Sequence, residues 1–413
     1  MRGKEQPRER AKSALSLLLL ALAVLEALYL AGALRFAGLF PAVGADFRAL
    51  HAAARIAREQ GFSHIYDMER HIPIQQALCR VAGPDAPCVL IPMVFLPVFL
   101  LPVLPLTFLG PVPAFAVWSV LNVLGALPIL RPWVRSLPAS DRRRALAMAL
   151  LSFPVFSNLL WGQSNLWLML CVASFLREWE RERPLRAGLW ASGLLLKPQT
   201  MVLLVPALAL ARRWDILAGL AAGGTMLFGA SRLLVGPSGM VAWAGILTGF
   251  SSPAPALVPE VVGAETMINW RSIGLLLSRV LPSPLAWGLT GAGMLLTVGV
   301  ALAAARRTDL RDAMGRERFT LGVLAATLAA TWHAHGHTAM VLLPPLLALE
   351  ARRALPRLAL PLWALLPAWV PFVSIALEAV RLLPFVAGLD ALATGKILFG
   401  FNLWLVLWTV RRG

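Results

Sequence analysis

The sequence predicts an all-α transmembrane protein, and three observations lead to that prediction. Of the 413 residues, 58% are hydrophobic and only 14% are charged, and the mean hydropathy is +0.72. A water-soluble core does not bury so much apolar surface, which makes lipid the solvent for most of the chain. The long Leu/Ala/Val runs lack the alternation of a β-barrel, so helices must satisfy the backbone inside the bilayer.

The charge pattern gives the predicted helices an orientation. A net charge of +17 would suggest a nucleic-acid partner for a soluble protein, but here the arginines lie in short gaps between apolar runs. That is the positive-inside pattern, so we expect no nucleic-acid partner. The basic segment 1–12 is predicted to be cytoplasmic. The apolar run Ser13–Leu34 lacks a small-residue cleavage site and is predicted to be a retained first span instead of a signal peptide.

Counting each apolar run as a span and each Arg-rich gap as cytoplasmic predicts about twelve spans in one membrane domain, residues 13–413, with both termini inside. Spans are predicted near Val112–Leu130 and Pro284–Ala304, with a final pair before the C-terminus. The Arg-rich gaps are Arg131–Arg144, Arg177–Arg186, Arg212–Arg213, Arg306–Arg318, Arg352–Arg357 and Arg411–Arg412. We expect a multi-pass protein of the inner (plasma) membrane.

Two large extracytoplasmic regions follow from this count, residues 35–110 and 236–283. Within the first, residues 88–110 are apolar enough to span but contain four prolines, at positions 92, 97, 102 and 105. Because proline breaks a straight helix, this stretch is predicted to be re-entrant and covered by protein or lining a water-filled cavity. Cys79 and Cys88 also fall in this region, where a disulfide and two free thiols are equally compatible with the sequence.

Asp46 is the candidate catalytic residue. It opens a predicted amphipathic helix whose apolar face contains Phe47 and Leu50 and whose charged face contains Arg55 and Glu59, a pattern typical of a helix lying in the membrane interface. Asp46 suits a helix N-cap. It equally suits a general base that takes a proton from a hydroxyl.

Further polar residues occur where predicted spans reach the same outer side. Lys197 stands alone among apolar neighbours, so it either snorkels or meets an anion. Three histidines alternate in the turn from Trp332 to His337, which at first suggests a metal, although no carboxylate or cysteine is adjacent. The candidates beside Asp46 are Gln163, Asn165, Lys197, Gln199, Asn269, Arg271, His333, His335 and His337.

The cavity that these residues predict has one carboxylate among several donors and cations. Cations would neutralise a departing phosphate while the carboxylate deprotonates an acceptor, which suits group transfer from a phosphate-bearing lipid. A secondary transporter or lipid flippase is the alternative, because ionisable residues at membrane depth also mark transport paths. Against it, Asp46 follows a span instead of lying within one.

At these residues the sequence resembles the GT-C fold glycosyltransferases, and most closely glycosyltransferase family 87, which includes polyprenol-phosphate-mannose-dependent mannosyltransferases. The matching segments are Gly44 to Asp67, Gly162 to Asn165, Ala187 to Gln199, Asn269 to Ser272 and the histidine turn leading to Pro345. Leu90-Ile91-Pro92-Met93 departs from the Tyr-Pro-Pro stretch of the family.

The resemblance implies a GT-C-like bundle with extracytoplasmic interfacial helices and an inverting hexosyltransferase. Such an enzyme would move a sugar, with mannose expected from the family, from a polyprenyl-phosphate donor to a lipid or glycolipid acceptor, with Asp46 as the general base. Lys197, Arg271, His335 and His337 would bind the donor phosphate. Gln163, Asn165, Gln199, Asn269 and His333 would bind substrate. No Asp-x-Asp signature lies near Asp46, so neither a metal nor another cofactor is expected.

Overall fold

The computed structural model describes residues 5–35, 44–80, 90–251, 263–380 and 389–411, and the regular structure of these residues is helical. The α-helices are α1 (Glu5–Arg35), α2 (Ala45–Gln60), α3 (Met68–Arg80), α4 (Pro111–Ser136), α5 (Ala139–Leu150), α6 (Phe153–Trp161), α7 (Asn165–Glu180), α8 (Pro184–Ser192), α9 (Leu204–Leu210), α10 (Trp214–Ser251), α11 (Trp270–Leu277), α12 (Ser283–Arg307), α13 (Ala313–Ala330), α14 (Leu343–Ala351), α15 (Ala359–Ala379) and α16 (Leu389–Val410). The 3₁₀ helices are Phe62–His64, Pro97–Leu100, Leu104–Phe108, Gly193–Leu196, Pro198–Met201, Ala264–Thr266 and Gly336–Leu342.

Within the described residues, six helices are long and apolar enough to cross a membrane. These are α1, α4, α10, α12, α15 and α16, and the pair α5–α6, bent by 41°, would be a seventh. The predicted spans at Ser13–Leu34, Val112–Leu130 and Pro284–Ala304 correspond to α1, α4 and α12. The total of about twelve stays a prediction, because several other apolar runs fold as short helices separated by breaks.

Helix α13 is the centre of the fold. From Phe319 to Ala330 every side chain is buried, as expected for a helix that is apolar on all faces. Its small Gly, Ala and Thr residues let α7, α12, α14 and α16 pack around it. The Asp312 side chain caps its first turn by accepting a hydrogen bond from the Gly315 N–H, 2.6 Å. One end of this buried helix leads directly into the histidine turn.

The region predicted as a second outer loop begins with helix instead. α10 continues past residue 236 to Ser251, with a bend at Gly236 (φ 72°) followed by Pro237. Glycine adopts this positive φ without strain, and Pro237 begins the next helical segment well because it needs no N–H partner. The second half of α10 packs over the first loop, where the Trp243 indole N–H donates to the Val94 carbonyl, 3.0 Å.

The described part of the proline-rich stretch, residues 90–110, contains two short 3₁₀ helices and otherwise irregular backbone. Gln75 of α3 holds its start, since the Gln75 amide donates to the Ile91 carbonyl (2.7 Å) and accepts from the Ile91 N–H (3.0 Å). Cys79 on the same helix is disulfide-bonded, whereas Cys171 is a free, buried thiol. Cys88 lies outside the described residues.

Candidate active site

A cavity of about 310 Å³ lies where four helical segments are interrupted. Seven of the ten predicted site residues line it: Asp46, Gln163, Lys197, Gln199, His333, His335 and His337. They come from the start of α2, the α6–α7 turn, the break before α9 and the turn after α13. In a membrane protein, irregular backbone is tolerated where protein covers it or where it lines a cavity. The position of these four breaks around the cavity agrees with that rule.

The start of α2 is docked onto the α6–α7 turn. The Gly44 N–H donates to the Leu160 carbonyl, 2.8 Å, and both Gly44 and Gly162 have positive φ (65° and 68°). A Cβ on Gly162 would lie only 2.5 Å from the Cβ of Phe47. Glycine is therefore required here for the left-handed turn and for the close approach. This contact brings Asp46 next to Gln163.

A chain of buried amides holds the α6–α7 turn from behind. The Asn158 side chain donates to Asn122 (3.1 Å) and accepts from the backbone and side chain of Asn165 (both 3.1 Å). The Trp118 indole donates to the Gly162 carbonyl, 3.1 Å. Asn165 thus supports the site without lining the cavity, and its predicted contact with substrate stays a prediction.

Lys197 reaches the cavity because proline follows it. The residue before a proline is pushed out of the helical region, and Lys197 has φ −133° and ψ 86° between two 3₁₀ helices. Its buried ammonium donates to Gln163 Oε1, 2.6 Å. The Gln163 side chain also acts on the Asp46 carboxyl, where it favours the ionised form and so opposes the rise in the pKa of Asp46. The three side chains form one connected polar unit.

Asp46 lies in the first turn of α2 and is not its N-cap, a position occupied by Gly44. It is partly accessible because it faces the cavity, while protein surrounds it on its other sides. This burial raises the pKa of Asp46, and Lys197, Gln163 and Arg48 oppose the rise. A carboxylate with a raised pKa is a stronger base than an exposed aspartate, provided that neighbouring donors keep it ionised.

The histidine turn supplies neutral imidazoles. The His333 and His335 rings are 4.8 Å apart, and those of His335 and His337 are 5.6 Å apart. Burial, with the nearby charges of Lys197 and Arg271, lowers the pKa of His333 to about 4. No cluster of three His, Cys, Asp or Glu side chains among the described residues has the arrangement of a metal site.

Arg271 lies behind the cavity wall. Its guanidinium stacks over Trp332 at 4.7 Å, and Trp332 stacks in turn against Trp287 with centroids 5.9 Å apart. Asn269 is fully buried and caps α11 by accepting from the Ser272 N–H, 3.2 Å. These two predicted residues therefore do not line the cavity, and their roles toward substrate stay predictions.

Other residues of the cavity wall were not among the predicted site residues. They include Trp161, Trp332 and the segment Ile91–Phe95. Tryptophans near membrane boundaries commonly anchor a protein in the interface, so their position in the sequence does not distinguish anchoring from a role in a site. In the sequence, the segment Ile91–Phe95 suggests apolar packing, although Pro92 does indicate irregular backbone.

The fold and the cavity define a helical membrane protein with a partly open cavity that contains several polar side chains, which is a class that includes both transporters and transferases of lipid-linked substrates. The chain matches the family model of glycosyltransferase family 87 over residues 95–332, more than half of its length. It therefore belongs to glycosyltransferase family 87, and it is a membrane glycosyltransferase. No curated protein and no solved structure matches it.

The matched segment contains Gln163, Lys197 and Arg271 but not Asp46 or the three histidines. The structure adds these to the same cavity. The family match thus includes only part of the candidate site. The remaining residues are assigned to the site because they line the same cavity.

Proposed function

We propose that the protein transfers a sugar from a polyprenyl-phosphate donor to a lipid or glycolipid acceptor. The supporting observation is that the cavity places the carboxylate of Asp46 beside Lys197 and three neutral histidines. A phosphate diester linked to a sugar needs cations and hydrogen-bond donors for its leaving group, and an acceptor hydroxyl needs a base. The apolar lining from Ile91, Pro92 and Leu247 suits a hydrocarbon tail.

In this reaction the acceptor oxygen attacks the anomeric carbon while the bond from that carbon to the phosphate oxygen breaks. The acceptor proton passes to Asp46, and the polyprenyl phosphate leaves with the bonding electrons. Lys197, His335, His337 and, from behind Trp332, Arg271 stabilise the charge on the departing phosphate. A single displacement of this kind inverts the anomeric configuration.

Mannose is the proposed sugar because the family resemblance suggests it, and the acceptor is proposed to be a lipid because the site lies among helices of membrane-spanning length. Gln199 and His333 line the same cavity and are proposed to contact the sugar. The active site is proposed to lie on the extracytoplasmic face of the plasma membrane, because the positive-inside pattern of the Arg-rich gaps predicts that these gaps are cytoplasmic.

The decisive experiment incubates purified protein with radiolabelled polyprenyl-phosphate sugars, tested one at a time, together with a membrane lipid extract. Mannose, glucose and arabinose donors are compared. We expect one donor to give a labelled glycolipid of inverted anomeric configuration. Label released only as free sugar, or no transfer from any lipid-phosphate donor while nucleotide-sugar donors react, would overturn the proposal.

A further inference from the structure

We propose that Gln163 is a positioning residue that orients the Asp46 carboxylate through its amide N–H groups and keeps it ionised for proton abstraction. The inference rests on the proposed role of Asp46 as the base. It assigns to Gln163 a task separate from substrate binding. Three structural features support it: the contact with Lys197, the hydrogen bonding and packing of the turn, and the charges around Asp46.

The contact with Lys197 determines which way the amide points. An ammonium group only donates hydrogen bonds, so the Gln163 atom 2.6 Å from Lys197 Nζ must be the carbonyl oxygen. The amide nitrogen is then the Gln163 atom available to donate to Asp46, in agreement with the lowering effect of this side chain on the pKa of Asp46. A carboxylate accepts hydrogen bonds, and donation from an amide favours its charged form. Lys197 therefore acts on Asp46 through Gln163 as well as through its own charge.

A backbone hydrogen bond and close packing hold the backbone of Gln163. The Gln163 N–H donates to the Asn158 carbonyl, 2.9 Å, and the residue is only 6% exposed. Gly162, immediately before it, is packed against Phe47 of α2. The same contact that fixes the turn also fixes the start of the helix that carries Asp46. The relative position of the two side chains is therefore determined by the fold.

The other charged and titratable groups around Asp46 come from three elements. Lys197 faces it from the break before α9, and Arg48 lies one half-turn along α2. His333, His335 and His337 line the same cavity from the turn after α13. Because the cations are few and protein surrounds most of the Asp46 carboxyl, removing one donor should change the protonation of Asp46 measurably.

Gln163→Glu tests the proposal in the full-length protein. The new side chain keeps an oxygen for Lys197 and replaces the donor to Asp46 by a second carboxylate oxygen. We expect the acidic limb of the pH profile of kcat/KM, measured with polyprenyl-phosphate mannose and membrane lipid, to move up by about one to two pH units. Activity should recover toward the alkaline side. Gln163→Asn, whose amide is too short to reach both partners, should move the limb in the same direction.

Gln199→Glu is the matched control, since it introduces the same charge into the same cavity. We expect it to shift the limb by less than half as much as Gln163→Glu. Equal shifts in Gln163→Glu and Gln199→Glu would overturn the proposal, because any added negative charge in the cavity would then have the same effect. No shift in either Gln163 variant would also overturn it.

A measurement independent of transfer separates this inference from the proposed function. A hydrophobic carbodiimide modifies protonated carboxyl groups, and mass spectrometry reports the modification of Asp46 as a function of pH. The midpoint should rise in Gln163→Glu and stay near the wild-type value in Gln199→Glu. An unchanged midpoint in Gln163→Glu refutes the positioning role, whereas a shifted midpoint in a protein whose Asp46 proves dispensable for transfer refutes only the proposed function.

Discussion

The two ends of α13 differ in how the ionisable side chains near them are paired. At its start, Arg316 and Glu317 are buried and directly paired: Arg316 with Glu182, and Glu317 with Arg352 at 2.8 Å. Beyond its other end, none of the described residues forms a direct ion pair with Asp46 or Lys197. A helix of 18 residues separates the two ends by about 25 Å.

The paired end joins several of the Arg-rich gaps. Arg316 also donates to the Trp179 carbonyl (2.6 Å) and the Leu310 carbonyl (2.8 Å), and Arg213 stacks over the Trp179 ring at 5.2 Å. Burial of charge is stabilising only when each group has partners. We infer that the paired end maintains the fold, whereas the cavity end keeps charge and hydrogen-bonding capacity available for a ligand. Stability and activity should therefore separate on mutation.

The largest effect is expected for Asp46→Asn. Loss of a general base costs roughly 10²- to 10⁴-fold in rate, so transfer of radiolabelled sugar should fall by at least that lower value while thermal unfolding in detergent is unchanged. Glu59→Gln is the control: it makes the same chemical change on the same helix, in an exposed side chain paired with Arg55 and Arg58, and should transfer at the wild-type rate. Wild-type turnover by Asp46→Asn would remove Asp46 from the mechanism.

Arg316→Met should show the opposite behaviour. The substitution removes the donor to the Trp179 and Leu310 carbonyls, and a buried acceptor left unsatisfied costs about 1–3 kcal/mol, so the unfolding midpoint should drop clearly. Protein that remains folded should bind a polyprenyl-phosphate sugar normally, because the substitution lies at the far end of α13. Arg411→Met, an exposed change at the end of α16, controls for loss of a positive charge. If Arg316→Met lowered affinity at full stability, the two ends would be functionally coupled.

Arg271→Gln tests whether the cavity end extends behind Trp332. A charge-assisted hydrogen bond contributes roughly 1.5–3 kcal/mol, so the affinity for a polyprenyl-phosphate sugar should fall about 10- to 100-fold. Arg279→Gln is a matched control on the same segment, where the arginine pairs with Glu265 at 2.6 Å, and its affinity should equal that of the wild type. Equal affinities for both variants would confine phosphate binding to Lys197 and the histidines.

The sequence predicts long membrane spans better than it predicts the contacts around the cavity. Long uninterrupted apolar runs predict α1, α4 and α12 closely, since length and composition alone decide a span. Asp46, Lys197 and the histidines could be recognised as candidates because polar residues are rare in such a chain. The amide chain through Asn165 could not, since it joins residues that only the packed α6–α7 turn brings together. The stacking of Arg271 on Trp332 likewise depends on helices distant in sequence.

The smallest effect expected concerns the pH dependence of stability. The pKa of His333 is lowered to about 4 in the folded protein, whereas an unfolded histidine titrates near 6.5. The unfolded chain therefore takes up a proton first, so this contribution to stability is complete above about pH 6.5 and declines as the pH falls toward 4. Between pH 7.5 and pH 5.5 the free energy of unfolding of the wild type should therefore fall. In His333→Gln it should fall by about 1 kcal/mol less. Denaturant unfolding at the two pH values measures this difference, with His64→Gln, outside the cavity, as the control. Parallel losses in the wild type and His333→Gln would mean that His333 is already charged in the folded protein, and the neutral histidine turn would have to be abandoned.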